Sequence, residues 1–82
     1  MGGDKNYSLS YLGAEFHTSK ENDYTTFSVE TKHGIVAGCV GMKFAYMAFI
    51  FAGRKHTRKI NRALTRRGII SAARRFAAQV AS

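Results

Sequence analysis

The chain has 82 residues, one cysteine, no proline and no tryptophan, and a formal net charge of +8. That length allows one small domain or a few separate elements. A single cysteine, Cys39, excludes an internal disulfide, and three histidines far apart in sequence (His17, His33, His56), with no acid beyond Glu30 and no pair at ligand spacing, argue against a metal centre. The charge is unevenly placed. Residues 1–33 carry five acids against three lysines, a balance of −2; residues 34–53 carry only Lys43; residues 54–82 carry nine Lys/Arg and no acid, a balance of +9. A mildly acidic head, an apolar middle and a basic tail form the asymmetry of a membrane-spanning chain.

The first region, 1–33, is polar with scattered aromatics (Tyr7, Tyr11, Phe16, Tyr24, Phe27). YTTFSVET (24–31) is rich in β-branched and aromatic residues and alternates weakly, which favours a short extended segment. Residues 8–12 suit an extended piece or a loose helical turn. No self-sufficient core is visible, so an irregular or partly extended N-terminal arm, ordered against a partner, is expected. The opening MGGDKN falls one residue short of an N-myristoylation signal, since Asn6 stands where Ser or Thr is needed. The first thirty residues contain no apolar signal-peptide core.

The second region, GIVAGCVGMKFAYMAFIFAG (34–53), is 20 residues long. As a helix it would span about 30 Å, the thickness of a bilayer's hydrocarbon. Basic residues flank it on both sides. One transmembrane helix is therefore expected here. On that helix Gly34, Gly38, Gly41, Ala45, Ala48 and Ala52 recur at spacings of four and three and form one narrow stripe suited to close helix packing. Lys43 falls on the opposite side. A mid-span lysine costs about 2.5–3.5 kcal/mol, while each Ile, Val or Phe returns about 0.3–0.6. Seven such residues offset the lysine almost entirely. Lys43 would then need a carboxylate, a carbonyl cluster or a lipid phosphate, an intramembrane charge contact supplied from outside. The competing expectation is a soluble chain with a buried central helix, for which the remaining residues supply too few apolar neighbours.

The third region, 54–82, places Ile60, Leu64, Ile69, Ala73, Phe76 and Val80 three or four apart, the pattern of an amphipathic helix, with Gly68 as a possible bend. The basic residues Arg54, Lys55, Arg58, Lys59, Arg62, Arg66 and Arg67 suit anionic lipid headgroups or an acidic partner. The fold class expected is thus an all-α membrane protein: one transmembrane helix, a basic amphipathic helix after it, and the N-terminal arm. The basic cluster after the span predicts the amino end outside and the carboxyl end on the matrix or cytoplasmic side.

No catalytic constellation is present. The glycines of 34–41 lack the strand that a phosphate loop requires, and Cys39 reads as a small apolar filler. The layout of 34–80, an apolar run followed by an Arg-rich helix without acids, resembles the internal targeting signal of some mitochondrial inner-membrane proteins. The whole plan is similar to single-span accessory subunits of respiratory-chain complexes or the ATP synthase. That resemblance implies a non-catalytic structural subunit in the mitochondrial inner membrane. It would contact other subunits and bind phospholipid such as cardiolipin, with no small-molecule substrate. The alternative is a nucleic-acid-contacting basic protein, ribosomal or similar to filamentous-phage coat proteins, using the 54–82 tail. Against it, the tail holds one aromatic, Phe76, for base stacking.

Overall fold

The computed structural model describes residues 6–82; all but the last residue of MGGDKN lies outside them. The chain forms six strands and one helix: β1 (Asn6–Tyr11), β2 (Ala14–Ser19), β3 (Tyr24–Thr31), β4 (Gly34–Val40), β5 (Ala45–Phe51), β6 (Arg54–Lys59) and α1 (Arg66–Ala81). The strands pair antiparallel in chain order, a simple meander with β1 and β6 at the edges.

The all-α expectation is corrected. No helix among the described residues is long and apolar enough to cross a membrane. The 20-residue run is a hairpin, β4 and β5 joined by the loop Gly41–Phe44, where the Gly41 amide donates to the Phe44 carbonyl at 2.8 Å. Lys43 sits exposed in that loop, so its charge stays in water and needs no buried partner. The membrane location and the orientation built on the span fall with it. The small residues form no stripe. Gly34, Gly38 and Ala45 lie on strands with one side toward α1, Ala48 points to the opposite sheet face, Gly41 is in the loop and Ala52 in a turn. The arm is corrected as well: residues 6–31 supply three of the six strands.

The physical reason for the hairpin is the side-chain chemistry of the run. Val36, Val40, Phe44, Phe49, Ile50 and Phe51 are β-branched or aromatic and fit a pleated surface. Gly38 fixes the local geometry. A Cβ there would collide with the Phe27 ring and the Tyr46 carbonyl, and would sit 2.9 Å from Met47 Cα. Only a glycine lets β3, β4 and β5 close up at that point.

Tight turns at one end set the register. Leu12-Gly13 and Ala52-Gly53 each take positive φ at both positions (52° and 79°, 53° and 76°), the two-residue geometry that matches strand twist. Lys32-His33 makes the third two-residue connection at the same end. At the opposite end the connections are longer: Lys20–Asp23, Gly41–Phe44 and the linker 60–65.

The helix covers one sheet face. Thr65 caps it, its hydroxyl accepting from the Gly68 amide at 3.1 Å. The expected helix over 54–82 is shortened to 66–81, and Gly68 lies in its first turn without breaking it. Ile69, Ile70, Ala73, Phe76 and Ala77 are buried against Ala14, Phe16, Phe27, Val29, Val36, Met47 and Phe49. The Phe49 and Phe76 rings meet edge-on at 6.4 Å. Burying each such side chain contributes roughly 1.5–3 kcal/mol, so this layer is the main source of stability.

Candidate nucleic-acid interface

The nine basic residues of 54–75 do not form one surface. Three of the expected contact residues are exposed but engaged by neighbouring side chains of the fold. Arg58 lies over the Phe76 ring at 4.7 Å and donates to Gln79 Oε1. Arg66 lies over Phe16 at 5.9 Å. Arg67 donates to the Tyr11 hydroxyl at 3.3 Å. Arg74, one helical face along, donates to the Leu12 carbonyl at 2.8 Å. Arg67 and Arg74 are seven apart, so both reach the β1–β2 edge from the same flank of α1. These arginines clamp the helix ends to the sheet.

Another set gathers at the loop end. Lys43 from the β4–β5 loop, Lys59 from the end of β6 and Arg62 from the linker line one depression together with Phe44 and Tyr46. The strand pairing brings this about: Tyr46 is opposite Lys59, and Ile60 donates its amide to the Ala45 carbonyl, which carries the linker past the loop. Arg54 and Lys55 lie at the other end of β6, away from this group.

Aromatic rings complete the loop end. Tyr24 and Phe44 meet edge-on with centroids 6.0 Å apart, and Phe44 and Tyr46 are tilted at 6.1 Å. Phe44 and Tyr46 are 47% and 41% exposed, high for large rings in mutual contact. Cys39 is buried between β3 and β5 on this face, its strand partners being Thr26 and Tyr46. Hydrogen bonding to Cys39, then its charge proximity, then burial hold the Tyr24 phenol above its ordinary ionisation value; the same causes act on Tyr46.

Sequence reasoning gave Lys59 and Arg62 as lipid or acidic-partner contacts and Lys43 as an intramembrane charge, and it singled out none of Tyr24, Phe44 and Tyr46. The objection that the tail lacks aromatics fails for a structural reason: the rings come from β3 and the β4–β5 hairpin, which the sheet brings beside the tail. The available signal was Phe44-Ala-Tyr46, two rings at strand spacing next to Lys43. Among the described residues no group of His, Cys, Asp and Glu could hold a metal ion. Against family models, curated proteins and solved structures the chain matches none, so the reading of this site rests on its own residues.

Proposed function

We propose that the chain is a non-catalytic binding module that contacts single-stranded nucleic acid at the loop end of its sheet. The observation that carries this reading is the exposed pair Phe44 and Tyr46, backed by half-buried Tyr24 and lining one depression with Lys43, Lys59 and Arg62. Aromatic rings on a sheet surface stack unpaired bases for about 1–3 kcal/mol each, whatever the base. Neighbouring cations take the phosphates, each neutralised phosphate adding about 0.7 to the salt slope of a single strand. A duplex hides the base faces from such rings, so single strands are the favoured ligand. The accessory-subunit reading took its support from the span, and that support is gone.

The test is fluorescence anisotropy with a labelled 12-nucleotide single strand. Binding should fall at least tenfold in Phe44→Ala/Tyr46→Ala, about 1.4 kcal/mol. Lys43→Ala should weaken binding uniformly across sequences and flatten the salt slope by about 0.7. Equal affinity for duplex and heparin, unmoved by loss of the two rings, would reduce the site to a general polyanion patch. Preference for cardiolipin-containing vesicles over the oligonucleotide would return the basic residues to a lipid role.

A further inference from the structure

The sheet face opposite α1 carries an arrangement that extends beyond the loop-end site and shares only Tyr46 and Lys59 with it. Strand register and alternation place its side chains in rows. Glu30 pairs with Ile35, and Ile50 with Lys55; continuing the Val36–Phe49 register by one residue puts Ile35 beside Ile50. The first row across β3–β6 therefore reads Glu30, Ile35, Ile50, Lys55. The second reads Ser28, Ala37, Ala48, Thr57, and the third Thr26, Cys39, Tyr46, Lys59. Ile35 is 59% exposed and Ile50 is 70% exposed. Lone exposed apolar residues are ordinary, but two adjacent isoleucines flanked by alanines make a patch.

The rows are self-complementary. A two-fold axis lying parallel to the strands, between β4 and β5, sets β6 of one copy over β3 of the other and β5 over β4. Glu30 then meets Lys55 of the second copy, Ile35 meets Ile50, and Ala37 meets Ala48. Each pairing occurs twice, as an isologous interface requires. The alanines at the centre let two sheets approach to about 10 Å, the spacing of packed sheets. An axis across the strands through the first row would instead set Glu30 against Glu30 and Lys55 against Lys55, and one through the second row would set Lys55 against Lys59. Within one chain Glu30 and Lys55 are three strand spacings apart, about 14 Å, so they do not neutralise each other. The sequence run 34–53 agrees with this. Strands covered on one face alternate apolar and polar, whereas β4 and β5 read as continuous apolar segments, the pattern of strands covered on both faces.

We propose that two copies of this chain associate face to face through Ile35, Ala37, Ala48 and Ile50, bordered by Glu30–Lys55 contacts between copies. Four strands by three rows give a footprint of about 400 Å² per copy, at the small and reversible end of specific interfaces. Tyr46 forms the border, and the loop ends of the two copies lie side by side. The face shares Tyr46 and Lys59 with the loop-end site, but its test needs no nucleic acid.

Sedimentation equilibrium of the full chain tests it, from about 1 μM to 1 mM without nucleic acid. A reversible dimer of about twice the 9.1 kDa chain mass is expected, with a micromolar dissociation constant that rises with salt. Ile50→Asp should raise that constant at least tenfold while far-UV circular dichroism is unchanged. Glu30→Lys and Lys55→Glu should each weaken the dimer, and the double variant should restore it. A monomer at 1 mM overturns the proposal. So does a dimer indifferent to Ile50→Asp, which would place the contact elsewhere, such as along edge strand β1. Failure of the double swap to restore association overturns the two-fold arrangement.

Discussion

Both faces of the central strands are apolar, yet the chain covers only one of them. Val36, Met47 and Phe49 lie under α1 and are almost fully buried; Ile35 and Ile50, their immediate sequence neighbours, stand in solvent. The difference arises from the helix, which is long enough to cross β3, β4 and β5 once and has a single apolar face. A side chain's contribution here is decided by its parity along the strand, not by its hydrophobicity. Moving one residue moves it from the core to the outer surface.

Substitutions can break this contrast, the covered face giving the larger effects. Gly38→Leu should abolish cooperative folding, because the new side chain has no space between Phe27 and Met47. Phe76→Ala should cost about 3–5 kcal/mol, read as a lower urea midpoint, since its ring touches Phe49 and supports Arg58. For a domain of this size that is a large share of total stability. Smaller losses, about 1 kcal/mol each, are expected from Thr65→Ala, which removes the helix cap, and from Arg74→Ala, which frees the Leu12 carbonyl. Neither should change oligonucleotide affinity as Phe44→Ala does, and anisotropy on the same variants separates clamp from contact. Ile50→Asp, measured at concentrations where the chain is monomeric, should alter stability by less than about 0.5 kcal/mol, whereas Ile69→Asp should unfold it.

The smallest effect is confined to alkaline solution. Folding favours the neutral phenols of Tyr24 and Tyr46, whose ionisation is raised above 10.0 mainly by hydrogen bonding to Cys39. Their contribution is fully present below the unfolded value and is lost as pH climbs through the folded values. Absorbance at 295 nm should show these two tyrosines ionising later than the others. Cys39→Ala should bring them back toward the ordinary range.

Residues 34–53 teach the clearest lesson about what can be read in a sequence. A 20-residue run that is apolar but for Lys43 satisfies a membrane helix and a buried hairpin equally by hydropathy alone. The features that separate them were present: aromatic and β-branched enrichment, glycines near both ends, and a lysine in the middle. As a helix, Lys43 is an intramembrane charge in need of a partner; as a hairpin, it is a loop residue in water. YTTFSVET was legible as an extended segment because its pattern is local, and β3 covers those residues. The arginines were legible as charges but not as contacts. Whether Arg67 faces a ligand or Tyr11 depends on residues 56 positions away in the chain.

By itself the sequence determined the local features: a charge-segregated chain, an extended segment over YTTFSVET, and an amphipathic face on Ile69, Ala73, Phe76 and Val80. Each follows from composition or short-range periodicity. Only the tertiary structure decided which apolar residues form a core, which arginines act as clamps, and that Phe44 and Tyr46 share a depression with Lys43, Lys59 and Arg62. Those outcomes depend on strand pairing between distant segments, where a long-range register, not any local preference, chooses each side chain's neighbours.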